Sequence, residues 1–116
     1  MRIDVVLNAK NPIYPKQLKK VEEEIGINIS AFQSLTVIWT DFTNSDVQMK
    51  LMGKPEYKNG KLHKGGAITH QTLNNSIPGN PYTWPLDPEK KYYQILFFLV
   101  NRDCKKDIRF TVVLDH

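Results

Sequence analysis

Four side chains suited to metal or nucleophilic chemistry are scattered along this 116-residue chain: His63, His70, Cys104 and His116. A zinc centre needs three or four ligands converging at about 2.0–2.3 Å, and its sequence signature is a compact Cys or His pair repeated further along. Here His63 and His70 stand apart, no second cysteine exists, and His116 follows Asp115 alone. A blue-copper site would need His and Met close after the cysteine, where Asp103, Lys105 and Asp107 are found instead. These spacings favour solvent-exposed histidines and no metal. Cys104 lies among Arg102, Lys105 and Lys106, whose charges favour a thiolate, but the neighbouring acids offset that field. A base for it would have to come from elsewhere in the fold, with His70 the candidate. Nucleophile elbow, phosphate loop and dinucleotide fingerprint are missing, so no catalytic residue and no cofactor are expected.

Binding is better provided for than catalysis. The stretch NNSIPGNPYTWPLDP sets Tyr82 and Trp84 among prolines and glycines that stiffen the backbone. Aromatic rings held on a rigid loop make good platforms for sugars, bases or a protein hot spot, because they offer large area at little entropic cost. The competing reading folds Trp84 under as a plug for one end of the core. Upstream, KLMGKPEYKNGKLHK carries five lysines and one acid. Lys54, Lys58, Lys61 and Lys64 can form an electrostatic funnel for a polyanion, but the better default is that they guard a strand edge against pairing.

The elements that position these residues are strands. RIDVVLN sets Ile3, Val5 and Leu7 on one parity; SLTVIWTDF and DVQMKLM do the same with Leu35, Val37 and Trp39 and with Val47, Met49 and Leu51. The Asn59-Gly60 pair signals a two-residue hairpin turn, and the nearby Pro55, with no N–H to donate, places that arm at a sheet edge. AITHQTL reads as a strand hidden in a long connection. KYYQILFFLVN, apolar on both parities, reads as a central strand forming a closing hairpin with the half-wet DIRFTVVLD. YPKQLKKVEEEIG suits a short helix, with Pro15 at its first turn and Gly26 as its stop, although its charges oppose the helix dipole.

The length matches one domain, 1–116, large enough to bury a core, and 41% hydrophobic residues argue against disorder. A net charge of +4 is too small to assign a nucleic-acid partner. A single cysteine excludes an intrachain disulfide and favours a reducing, intracellular setting. The longest apolar run, ILFFLV, is too short to span a bilayer, so no membrane insertion is expected, and no signal peptide is visible.

Two segments resemble fibronectin type III and immunoglobulin-like sandwiches. SLTVIWT is similar to the early strand that ends in a buried Trp, and PLDPEKKYY to the approach to a tyrosine corner, which would be carried by Leu86, Pro88 and Tyr92. The resemblance implies a binding module. The expected fold is therefore an all-β antiparallel sandwich, immunoglobulin-like or jelly-roll-like, with about seven to eight strands and at most one short N-terminal helix. The favoured function is a non-enzymatic module that binds a protein partner or forms a homo-oligomer. The alternative is a glycan or polyanion binder using Tyr82, Trp84 and the four lysines, and a small thiol or metal enzyme ranks last.

Overall fold

In a computed structural model of the chain, the residues described are 1–15, 27–40, 47–63, 65–74, 77–101 and 103–116. Among these residues there are eleven strands: β1 (Arg2–Leu7), β2 (Ile13–Tyr14), β3 (Ile27–Asn28), β4 (Ser34–Trp39), β5 (Val47–Met52), β6 (Glu56–Lys58), β7 (Lys61–His63), β8 (Ala67–Leu73), β9 (Tyr82–Pro85), β10 (Gln94–Leu99) and β11 (Ile108–Asp115). One antiparallel sheet runs β1-β11-β4-β9. The other runs β2-β10-β5-β8, with β3 also on β10.

β2 and β3 occupy one edge position. Ile13 and Tyr14 pair with Phe98 and Phe97, and Ile27 and Asn28 resume on Ile95 and Gln94, so only Leu96 separates the two pairings on β10. The described pairing on this edge stops at Tyr14 and resumes at Ile27. Counting that edge as one strand and setting β6 and β7 aside leaves eight positions, ordered 1-8-3-6 in one sheet and 2-7-4-5 in the other. This is the strand order of a jelly roll. The helix expected over 15–26 and the turn expected near residue 44 lie outside the described residues.

Side-chain parity explains the core. β1 buries Val5 and Leu7, β4 buries Leu35 and Val37, β5 buries Val47, Met49 and Leu51, and β11 buries Ile108, Phe110, Val112 and Leu114. Each set alternates with exposed or half-exposed residues, as a sheet with one wet face requires. The sheets meet where Phe97 on β10 and Phe110 on β11 contact edge to face, with centroids 5.1 Å apart at 66°. The wet face of the first sheet is tied by hydroxyl pairs between neighbouring strands, Thr36 with Thr83 at 2.7 Å, and by Thr111 donating to Asp4 at 2.8 Å.

The closing hairpin expected from KYYQILFFLVN and DIRFTVVLD does not form. β10 and β11 lie in opposite sheets, because β10 pairs β5 while β11 pairs β1 and β4. Two adjacent apolar strands look the same in sequence whether they pair directly or face each other across a core. β10 is nevertheless central, as its two-sided apolar pattern requires: Ile95, Phe97 and Leu99 point inward, while Leu96 and Phe98 are half-buried on the opposite face. Lys50 covers Phe98 there, its Nζ 4.9 Å from the ring centroid.

Gln94 breaks the apolar series on that face. It is buried, and its side-chain amide nitrogen has no hydrogen-bond partner among the described residues. An unmet buried donor costs about 1–3 kcal/mol. Gln94→Met, which keeps length and removes the donor, is expected to stabilise the fold by about 1 kcal/mol, read as a raised urea midpoint at unchanged slope.

Candidate binding surfaces at one end of the sandwich

The antiparallel registers place the ends of β5 and β9 and the starts of β4, β8 and β10 at the same end of the sandwich. The lysine-rich segment emerges here. β6 and β7 form a two-stranded ribbon belonging to neither large sheet, with Glu56 opposite His63, Tyr57 opposite Leu62 and Lys58 opposite Lys61. Asn59 and Gly60 take φ of 53° and 75°, the two positive values that the two-residue hairpin turn demands. The turn signal in the sequence is realised, but the ribbon is a free arm rather than the edge of a main sheet.

Glycine closes the neck of the arm. The Gly53 N–H donates to the Gly66 carbonyl at 3.0 Å, carrying the β5–β8 ladder one step past the strands. Gly65 crosses so close that a Cβ there would lie 2.1 Å from the Gly53 carbonyl oxygen. No side chain fits at that crossing. Beneath the arm opens a cleft of about 420 Å³, lined by Lys54, Glu56, Lys58, His63 and Ile68 among others. Alternation then turns Tyr57 to the other face of the ribbon, where it is 72% exposed, the most exposed of the large hydrophobic residues described. Lys58 reaches Glu56 at 3.5 Å, an exposed pair that contributes little.

Beside the neck lies a larger groove, about 820 Å³, lined by Phe32, Leu86, Tyr92, Tyr93, Lys54 and Lys91 among others. Neither ammonium has a carboxylate within ion-pair reach among the described residues. The floor is held from below: Leu86 is buried, and the Tyr92 hydroxyl pairs with that of Thr69 on β8 at 3.1 Å. Lys91 is aimed by a left-handed backbone, φ 51° and ψ 50°, at the end of a short 3-10 turn that Asp87 caps by accepting from the Glu89 N–H at 2.9 Å. Lys54 lines both the groove and the cleft, making arm and groove one continuous surface.

The residues singled out from sequence are distributed as follows. Lys54, Lys58 and Lys61 are exposed on or beside the arm, and Lys64 lies outside the described residues. Tyr82 and Trp84 sit on β9 rather than on a loop. They pair with Val37 and Leu35, both buried, so they share the core-facing side of the sheet. Their rings meet at 4.5 Å and Trp84 packs against the core, both side chains half-buried. Neither the groove nor the cleft is lined by Tyr82 or Trp84. Phe32, Tyr93 and Lys91 went unmarked in the sequence, since nothing local distinguishes a groove aromatic from a core one.

The histidines and the cysteine are not brought together. His63 is on the arm, His70 lies mid-strand on β8 with Nδ1 3.3 Å from Gln48 Nε2, and His116 stacks on Phe32 at 4.8 Å. Cys104 is buried in the connection beyond the far end of β10, its thiol donating to the Lys106 carbonyl at 3.5 Å. No group of three or more metal-ligating side chains occurs among the described residues. No described helix is long and apolar enough to cross a membrane. No family model, curated protein or solved structure matches this chain.

Proposed function

We propose that the chain is a non-enzymatic binding or assembly module that acts through protein–protein interaction, with the β6–β7 arm as its contact element. The observation that carries this reading is the exposure of Tyr57 on a ribbon outside both sheets. A two-stranded ribbon on its own is only marginally stable in water. An aromatic ring held on one gains most by burial against another protein, where Tyr is among the residues that dominate binding energy. Among the described residues neither ribbon edge pairs with another strand, so the arm can meet a partner surface without disturbing the core. Tyr57→Ser is expected to weaken the association of the full chain, read by light scattering and by recovery of its complex from cells, by at least about tenfold with the melting temperature unchanged. A wild-type chain that is a strictly inert monomer in both assays would sink the proposal.

A second reading, a carbohydrate- or polyanion-binding module, is supported by the groove, where Phe32, Tyr92 and Tyr93 lie beside Lys54 and Lys91. Aromatic faces flanked by cations suit stacking on an anionic sugar or base. Binding of a heparin oligosaccharide that weakens steeply with salt and is abolished by Lys54→Glu with Lys91→Glu would favour it.

A further inference from the structure

The register of the β6–β7 arm sorts its side chains by charge. Residues directly opposite each other in an antiparallel pair share a face. Lys58 therefore shares one with Lys61, and Glu56 and His63 lie on that same face, while Tyr57 projects from the other. Like charges directly opposed destabilise a strand pair. The ribbon keeps this repulsion at the pair that closes its turn, offset by an exposed Lys58–Glu56 contact of 3.5 Å that contributes little.

The charged face looks into the cleft beneath the arm, whose lining includes Lys54, Glu56, Lys58 and His63. Glu56 is the one acid among the described residues there. The remaining described lining, Gly65, Gly66, Ala67 and Ile68 among it, is uncharged, and Ile68 is 42% exposed. The cleft thus sets a cationic wall against a small apolar floor.

We infer that the cleft takes an acidic segment of a partner protein, with its carboxylates against Lys54, Lys58 and Lys61 and an apolar side chain on Ile68. This deepens the reading above, on which it rests, by naming the chemistry of the partner. Charge selects that chemistry. A chain of net charge +4, with three lysines and one acid in and beside the cleft, attracts an acidic surface and repels its own copies. A carboxylate set between Lys58 and Lys61 also offsets the repulsion within the ribbon.

A nucleic acid fits less well. Single strands bind where bases stack on aromatic rings beside the cations that hold the backbone. Here alternation puts the Tyr57 ring on the face away from the lysines, and the floor opposite the lysines is aliphatic. A protein can close over both faces at once, burying Tyr57 on one side of the ribbon and placing carboxylates on the other.

The test is an amide NMR titration of the full chain with two blocked peptides, Glu-Val-Glu-Leu-Glu and its uncharged twin Gln-Val-Gln-Leu-Gln. The acidic peptide is expected to shift Lys58, Lys61, His63 and Ile68 with a Kd of about 1 mM or tighter, and the uncharged one to leave them in place. Raising the salt from about 50 to about 500 mM should weaken binding by about fivefold or more. Lys61→Glu separates the inference from a merely solvated hairpin. It sets opposite charges at the closing pair, so ribbon amides should exchange about threefold more slowly while the acidic peptide binds about fivefold more weakly. Glu56→Gln removes the acid from the cleft and should tighten binding by about twofold. The inference is overturned by equal binding of the two peptides, by no shift with the acidic one, or by shifts confined to Phe32 and Lys91 in the groove. It is overturned equally by Lys61→Glu binding as wild type does, or by a charge-matched thymidine oligonucleotide binding the same residues more tightly than the acidic peptide. If Tyr57→Ser breaks the complex recovered from cells and Lys58→Glu with Lys61→Glu does not, the arm remains the contact element and the acidic partner is discarded. If the peptide results hold and Tyr57→Ser leaves that complex intact, the acidic-segment site stands and the role given to Tyr57 falls.

Discussion

Phe97→Ala is expected to be the most damaging single truncation in the chain, costing about 3–5 kcal/mol. Phe97 is fully buried on the central strand β10, and its ring meets that of Phe110 across the sheets. Truncation removes the transfer energy of the ring and leaves a cavity between two sheets whose ladders prevent full collapse. Against a total stability of about 5–15 kcal/mol, that loss lowers the melting temperature by roughly 10–25 °C. Phe98→Ala, on the half-buried opposite face, is the comparison, and it should cost clearly less. Equal losses in thermal melts would mean that the two faces of β10 are equally packed, contrary to the observed parity.

Gly65→Ala should cost about 1–3 kcal/mol, the range for forcing atoms into a filled site. The added methyl would meet the Gly53 backbone at 2.1 Å, and backbone, unlike the tip of a flexible side chain, gives way only if the neck opens. The effect should be local in space. Amide shifts should move at Gly53, Gly66 and Ile68 and along the arm, while Val37 and Val112 stay in place. Gly66→Ala is the control, because a Cβ there meets nothing within 4 Å. If both substitutions melt alike, the neck is looser than the crossing of Gly53 and Gly65 implies.

The strands were legible because parity is a local property. β1, β4, β5 and β11 follow from alternating apolar residues, β8 from a connection too long to lack a strand, and the Asn59-Gly60 turn from the few residue pairs that tolerate two positive φ values. Strand partnership was not legible. β10 pairs with β5, more than forty positions earlier in the chain, rather than with β11, because a Greek-key path separates strands that are neighbours in sequence. The same long-range order decides Tyr82 and Trp84. Prolines on either side suggested a loop, yet the register with Val37 and Leu35 turns both rings toward the core. The groove drew on residues from three separate connections, Phe32, Lys54, Leu86 and Tyr93 among them, and no spacing rule joins these in sequence. Lys58 and Lys61, by contrast, needed only the hairpin turn to be set on one ribbon, although the sequence placed that ribbon at the edge of a main sheet.

The most direct test of the protein-contact reading is photocrosslinking from a benzoylphenylalanine placed at Tyr57 in the full chain, with the same group at exposed Thr83 as the reference. A protein adduct formed at position 57 and competed by unmodified wild-type chain is the predicted result. Adduct yields at 57 no higher than those at 83 would contradict it, and would leave the arm a solvated ribbon without a partner.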